Sequence, residues 1–510
     1  MRRRARALML QGTASHVGKT VMVAALCRIF RDQGWRVAPF KVQNMALNAY
    51  VTAAGGEIGW AQAMQAEAAG VAPRVEMNPI LLKPQARGAQ VIVLGRPRAT
   101  LGAADYYARR AEWWTAAMAA YERLAREFEL VILEGAGSPA EPNLMTYDLA
   151  NMAAARLAQA PVVLVGDIDR GGVFASLVGS LAILPARDRR RVRGFLLNRF
   201  RGDRALLDPA LTWLERRTRR PVLGVVPAIS DLRLPEEDSV ALDERPAAPT
   251  ALAPDGDRPQ DVLVVRLPHV ANFTDFIPLE ADPAFHVRYA REPEAIDGSR
   301  RPPDLVILPG SKDTLADLRW LDASGWVAML RAHVARGGRL AGICGGYQML
   351  GERVEDPAGL EGGGTAAGLG CLPAVTILEA GKVTRQVEAQ LAAGGPAFHA
   401  YEIHLGRTRV GPGLRPRALI VDGAVLRPDG AVSGDGRVWG TYLHGLFDSA
   451  HVRAALRAEL GETAPAVLDA EPAGTDYREL REREYTRLAA AVRAHVDHGA
   501  LARLIEGKPL

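Results

Sequence analysis

Ala7-Leu-Met-Leu10-Gln-Gly12-Thr-Ala-Ser-His-Val-Gly18-Lys19-Thr20 is the stretch on which the fold turns. Residues 7–10 form a short apolar run suited to a buried strand, and residues 21–30 carry apolar side chains at helical spacing. Between them, glycines let the backbone curl so that its N–H groups face a phosphate. Lys19 supplies a cation to the terminal phosphates, and the Thr20 hydroxyl is a ligand for Mg²⁺. Five residues separate Gly12 from Gly18, one more than in the common phosphate loop. A strand before and a helix after make Gly12, Thr13, Gly18, Lys19 and Thr20 the expected ATP-binding residues.

Working outward, the first half alternates short apolar runs with helical patterns, which predicts a parallel sheet covered by helices. Strands are expected at 36–40, 90–94, 130–133, 161–165, 192–197 and 222–225. Each ends in polar or glycine residues, where an open α/β sheet places its ligands. Residues 236–260 shift to Pro, Ala and acidic residues without periodicity and are read as a linker. The pattern restarts with strands at 261–267, 304–308 and 339–343. The tail from 477 to 505 is helical, with Leu480, Leu488, Val492 and Val496 on one stripe and Thr475 or Asp476 as a plausible cap. The expected organisation is an α/β chain of two α/β domains with a C-terminal helical extension: 1–235, linker 236–260, 261–455 and 456–510.

The 510 residues leave ample room for more than one core. Lys and Arg number 63 against 58 Asp and Glu, a formal charge of +5 that is scattered along the chain. That mild surplus suits anionic ligands and argues against a nucleic-acid-binding tail. Charged residues at 24% and hydrophobic residues at 48% are the balance of a globular protein and exclude disorder. Three cysteines, Cys27, Cys344 and Cys371, are too few for a disulfide scaffold. The apolar run behind Met1-Arg-Arg-Arg is too short for a secretory leader, and no run of about eighteen apolar residues occurs. A cytoplasmic protein with no membrane partner is expected.

A second site sits at Gly342-Ile-Cys344-Gly345-Gly346-Tyr-Gln-Met-Leu-Gly351, where a strand passes through a cysteine into a helix start. Glycines on both sides permit a sharp turn that a Cβ would block, and the helix start favours thiolate. Cys27 and Cys371 lack that setting and are read as packing residues. A thiol nucleophile needs a base. His444, in Gly440-Thr-Tyr-Leu-His444-Gly445, is the best candidate, and His404 in Tyr401-Glu-Ile-His404 is a rival. Backbone N–H groups at Gly310, in Leu308-Pro-Gly310-Ser311, and at Gly345 are candidates for an oxyanion hole.

The long phosphate loop resembles that of dethiobiotin synthetase and its relatives. That likeness implies a metal-binding glutamate at Glu134, in Glu134-Gly-Ala-Gly137, beside Thr20. Glu57 is a third possible metal ligand, or a surface glutamate. Lys41 ends the second strand and faces a phosphate or a substrate carboxylate, or is an ordinary solvated lysine. Asn198 closes the strand at 192–197 and can read an adenine edge, or serve as a turn residue. Ala14 stands where partition and septum-positioning ATPases carry an early lysine, which weakens a partitioning role.

The Cys344 and His444 segments resemble a class I glutamine amidotransferase domain, of flavodoxin-like fold. That family usually has a glutamate two residues after the histidine, and here the position is Leu446. No third member of the triad is read from the sequence.

An ATP-Mg²⁺ site joined to a glutaminase suits amide synthesis. ATP converts a carboxylate to an acyl phosphate, and ammonia displaces the phosphate. The whole chain resembles the cobyrinic and cobyric acid amidase family. The resemblance rests on Gln43-Asn-Met-Ala-Leu-Asn48, Asp167-Ile-Asp-Arg-Gly-Gly172, the Cys344 turn and Tyr401-Glu-Ile-His404-Leu-Gly, in that order. One departure is Val42, where proline is usual. The resemblance implies ATP- and glutamine-dependent amidation of the b, d, e and g carboxylates of adenosylcobyrinic acid a,c-diamide. Gln43, Asn44, Asn48, Asp167 and Asp169, with Lys41, would then hold the corrinoid. Asp167 and Asp169 equally suit Mg²⁺ or a helix cap. Two alternatives stay open: the earlier a,c-diamide synthesis, and a partner-binding switch ATPase with an inactive glutaminase-like domain.

Overall fold

The computed structural model describes residues 4–85, 88–229, 232–234, 258–297, 301–423, 425–461 and 474–509. The predicted linker therefore lies outside the described residues, apart from Arg258, Pro259 and Gln260. So does the 462–473 part of the extension.

Six parallel strands build the first sheet, in the order Val222–Pro227, Val192–Phe200, Val162–Asp167, Arg6–Gly12, Leu130–Glu134, Val37–Phe40. The strand before the phosphate loop is central, so the loop opens at the carboxyl edge where the strand order reverses. Alternation along the strands feeds two cores. Leu8 and Leu10 pack on one face with Val23, Leu26 and Phe30 of the Lys19–Asp32 helix. Ala7 and Met9 pack on the other with Trp113, Tyr121 and Leu124 of the Arg110–Glu127 helix. Both faces are covered, which is why these strands read as continuous apolar runs.

The expected strand at 90–94 does not join this sheet. Gly88–Val93 lies instead in a four-stranded sheet, paired antiparallel with Ile80–Gln85 and Arg96–Leu101. A short apolar run fits either setting, and periodicity alone does not distinguish them.

The second sheet runs Phe285–Ala290, Gln260–Val265, Leu305–Leu308, Leu340–Ile343, Val438–Thr441, Ala431–Val432, and only the last strand is antiparallel. A five-stranded antiparallel sheet stands beside it and includes Val383–Leu391, Phe398–His404 and Leu443–His444. This sheet docks onto the first half of the chain. Gln386 Nε2 donates to the Val51 carbonyl at 2.8 Å, and Tyr401 and Ile403 share an apolar cluster with Ala46, Ala49, Val51, Leu81 and Ile92.

The C-terminal helices Tyr477–Arg493 and His498–Ile505 do not stand apart as an extension. Leu488, Val492, Leu501 and Leu504 complete the core on the Leu8 face of the first sheet. Asp476 precedes the first of them without capping it; its carboxylate accepts from the Ala450 N–H, while Asp497 caps the second helix through Ala500 N–H. Arg481 is buried between Glu67 of the first half (3.1 Å) and Asp448 of the second (3.0 Å). Among the described residues no helix is long and apolar enough to cross a membrane.

Candidate active site

The phosphate loop is held by its neighbours. Gly18 has φ +91°, and a Cβ there would lie 2.1 Å from Asn198 Nδ2, which donates to the Val17 carbonyl at 3.0 Å. One of the two Asn198 N–H donors is thus committed to the loop, leaving the other and the carbonyl oxygen to meet a base. Gly12 is also hemmed in, since a Cβ would lie 2.7 Å from Lys19 Nζ. Lys19 Nζ donates to the carbonyls of Ala14 (2.9 Å) and Gly137 (3.1 Å), bridging the loop to the end of the next strand.

Glu134 is buried at that strand end. Its Oε1 accepts from Thr20 Oγ1 at 3.0 Å and Lys41 Nζ at 2.8 Å, and its Oε2 from Gln65 Nε2. Mg²⁺ takes one or two protein oxygens and fills its octahedron with water and phosphate. Thr20 and Glu134 fit that need as adjacent hard oxygen donors. Lys41 meets this carboxylate at the same corner.

Glu57 is not at that corner. It lies fully buried on the Glu57–Gly59 strand, with Lys83 Nζ at 2.7 Å and Lys382 Nζ at 2.6 Å. Burial alone would raise its carboxyl, but Lys382 and Lys83 hold it down at about 2. Lys382 comes from the second half, so Glu57 is a contact between the halves and not a metal ligand. Gln43 accepts from Tyr106 OH at 2.7 Å. Asn44, with Nδ2 on Gln62 Oε1 at 3.0 Å, and Asn48 are buried and offer a corrinoid no surface; Met45 between them is 57% exposed. Asp167 pairs with Arg199 at 2.9 Å, and the exposed Asp169 with Arg201 at 3.2 Å. Neither caps the Val173–Ile183 helix, whose N-cap is Gly172, and neither reaches Thr20 or Glu134 through a hydrogen bond among the described residues.

Cys344 occupies the turn between the Leu340–Ile343 strand and the Gly345–Leu350 helix, at φ 52° and ψ −106°. Such a conformation is strained for a residue with a Cβ and is tolerated where the surroundings over-determine it. Gly346 packs so closely that a Cβ would lie 2.0 Å from the Leu308 carbonyl oxygen. Gly310 and Gly345 both border the thiol: a Cβ on Gly310 would meet the His444 ring at 3.3 Å, and one on Gly345 the Ser311 nitrogen at 2.8 Å.

His444 Nδ1 lies 2.6 Å from Asp275 Oδ2, and Asp275 Oδ1 accepts from the Gly445 N–H at 2.9 Å. Burial opposes the imidazolium, but the Asp275 carboxylate and Cys344 outweigh it and push His444 up to about 10. Nε2 has no hydrogen-bond partner among the described residues and is left for the thiol. Asp275 therefore orients the histidine that lacks a glutamate at 446. It escaped the sequence reading because it lies 169 residues before its partner. One usable signal was its polar turn, Asn272-Phe-Thr-Asp275, after the first strand of the second sheet. The rival His404 stacks on Tyr442 at 3.9 Å and lies 3.7 Å from Glu402, an arrangement with no comparable orienting bond. Burial pushes the Cys27 and Cys371 thiols up, in keeping with packing roles.

One strand joins the thiol site to the first half of the chain. The Ile403 carbonyl lies 3.6 Å from Cys344 Sγ and Tyr401 stacks on His444 at 5.2 Å, while the Tyr401 and Ile403 side chains pack against Ala46, Ala49 and Val51 of the first half. Asn272, in the same turn as Asp275, accepts from the Ala49 N–H at 3.0 Å.

Residues 8–241 match the family described as CobQ/CobB/MinD/ParA nucleotide binding domain, and residues 261–452 the CobB/CobQ-like glutamine amidotransferase domain. The chain is 47% identical to a cobyric acid synthase of Pelotomaculum thermopropionicum, over 97% of this chain and 95% of the relative. It is 48% identical to a cobyric acid synthase of Sorangium cellulosum, over 98% of each.

Proposed function

We propose, from the premise that this chain belongs to the cobyric acid synthase family and is a glutamine-hydrolysing ligase of cobalamin biosynthesis, that its two sites divide one amide synthesis between them. The coarse reaction is ATP- and glutamine-dependent amidation to cobyric acid. The finer reading is that four carboxylates, b, d, e and g, of adenosylcobyrinic acid a,c-diamide are converted in turn.

In the glutaminase half, Cys344 attacks the side-chain amide carbon of glutamine and His444 takes the thiol proton at Nε2. His444 then returns a proton to the departing nitrogen, so ammonia leaves and a γ-glutamyl thioester remains for water to cleave. Asp275 holds the imidazole with Nε2 toward the thiol, and the N–H groups near Gly310 and Gly345 receive the oxyanion. In the other half, Lys19 and the loop N–H groups of Gly12 and Gly18 steady the phosphates of ATP, while the Thr13 N–H is committed to the Val165 carbonyl at 3.0 Å, and Thr20 and Glu134 would hold Mg²⁺. The metal, when bound, neutralises charge on the transferred phosphoryl group. A substrate carboxylate accepts that group, and ammonia displaces phosphate from the acyl phosphate.

The observation that carries this reading is the shared strand Phe398–His404. The thiol and its base lie along it, and the ribbon after Lys41 packs against its side chains. Ammonia is thus released beside the half that consumes it. The test is mass spectrometry of cobyrinic acid a,c-diamide incubated with the protein, ATP, Mg²⁺ and glutamine. Stepwise conversion of acids to amides, absent without ATP, is expected; ATP turnover with an unchanged corrinoid would reject the substrate.

A further inference from the structure

The wall of the glutaminase cavity carries more charge than the thiol chemistry uses. The cavity is lined by Cys344, His444 and Gln348 together with three lysines, Lys83, Lys312 and Lys382. Lys83 and Lys382 are accounted for, since both sit on Glu57.

Lys312 is placed differently. It is 7% exposed, and it makes no side-chain hydrogen bond and no ion pair within 4 Å to any described residue. Burial disfavours its charge first; Lys382 and Lys83 repel it, and Glu361 and Glu57 attract it. A buried ammonium with three donors and no acceptor is unfavourable, and such groups are rare unless something supplies the acceptor. The backbone holds Lys312 at the thiol. Its N–H donates to the His269 carbonyl at 2.9 Å, and its neighbour Ser311 packs against Gly345, the residue after Cys344. Asp313, capping the Thr314–Ala323 helix through the Ala316 N–H, fixes the other side.

Glutamine brings to this cavity a neutral amide at one end and a carboxylate a few bonds away at the other. We infer that Lys312 anchors the α-carboxylate of L-glutamine while Cys344 attacks the side-chain amide, so that Lys312 sets the preference of this site for an amide with an anionic far end. This rests on the glutaminase reading given above. Lys83 and Lys382 are poorer anchors because Glu57 already neutralises them. Lys83 belongs to the first half of the chain, so the cavity that receives glutamine is finished by the half that uses its ammonia.

The test compares two substrates in each protein: L-glutamine, and L-glutamine α-amide, which keeps the side-chain amide and replaces the carboxylate with a neutral carboxamide. The ratio of their kcat/KM values does not depend on how much of a variant is folded. The wild type should prefer glutamine by about 30-fold or more, the scale of losing one partner of a buried charge pair. In Lys312→Met the ratio should fall to near unity, chiefly through the KM for glutamine, and Lys312→Arg should restore part of it. A Lys312→Met variant that keeps the wild-type ratio would overturn the assignment. So would a wild type that does not discriminate. A wild type that hydrolyses neither compound would overturn the glutaminase reading itself, and this assignment with it.

Discussion

Replacing Asp275 by Asn tests the orienting contact with almost no change of volume. One oxygen of Asp275 receives the Gly445 N–H at 2.9 Å and the other meets His444 Nδ1 at 2.6 Å. In the variant the Gly445 N–H still demands an acceptor, so the amide oxygen stays there and the NH₂ group turns to Nδ1. An NH₂ group donates to Nδ1, which drives the imidazole proton to Nε2, the nitrogen that must accept the thiol proton. A hydrogen bond to a charged group contributes about 1.5–3 kcal/mol, roughly 10- to 150-fold in rate. The wrong tautomer adds to that, so a loss of roughly 10²–10⁴ in glutaminase kcat is expected. The pH profile supplies a second readout. The Cys344–His444 pair works with one proton, which moves from the thiol to His444, so the alkaline limb of kcat/KM in the wild type should follow loss of that proton from the group raised to about 10. Without the carboxylate, burial is less opposed and the limb should move to lower pH. Glutamate release measured across pH, with ammonia-driven amidation as the control for folding, decides the matter. A kcat within a few-fold of wild type and an unmoved alkaline limb would refute Asp275 as the orienting residue.

Cys344→Ala should abolish glutamate release while leaving amidation from added ammonia; loss of both in a folded variant would contradict the division of labour. Lys19→Ala should end amidation with either nitrogen source, and retained synthesis would remove the phosphate loop from the chemistry. Glu57→Gln leaves Lys83 and Lys382 buried without their shared carboxylate, which should destabilise the contact between the halves by roughly 3–5 kcal/mol. Differential scanning calorimetry should show a lowered Tm, and an unchanged Tm would refute the role. The wild-type contact should also be acid-sensitive. The folded carboxyl sits at about 2, below the unfolded value near 4.3, so its contribution is full above pH ~4.3 and is lost as pH falls toward 2.

What the sequence disclosed was local. The loop from Gly12 to Thr20 and the turn at Cys344 were legible because each is a contiguous run whose glycines relieve named clashes, at Gly18 against Asn198 and at Gly346 against Leu308. The parallel strands were legible because two covered faces require unbroken apolar runs. Residues whose meaning depends on a distant partner were misread or missed. Glu57 read as a metal ligand or a surface glutamate, because its partner Lys382 is 325 positions away and no periodicity links them. Asp275 was invisible for the same reason. The tail announced a helical stripe in Leu488 and Val492 but not the face it covers, since that face belongs to strands at the other end of the chain.

These long-range contacts share a place in the molecule. Asn272 holds Ala49 three residues before Asp275 holds His444, and Glu57 closes on Lys382 eight positions after Ala49. The short ribbon Ala49–Val51 and Glu57–Gly59 leads directly into the Trp60–Ala68 helix, whose Gln65 bonds the Glu134 carboxylate. A continuous set of packed and hydrogen-bonded elements thus runs from the Glu134 carboxylate to the base of the glutaminase. Anything that repositions Glu134 acts on Gln65 and its helix, and hence on the ribbon against which Asn272 and Tyr401 are set. His444 stacks on Tyr401, which packs against Ala49 and Val51, and is held by Asp275, three residues after the Asn272 that bonds Ala49, so alignment of the glutaminase pair is tied to the packing of the synthase half.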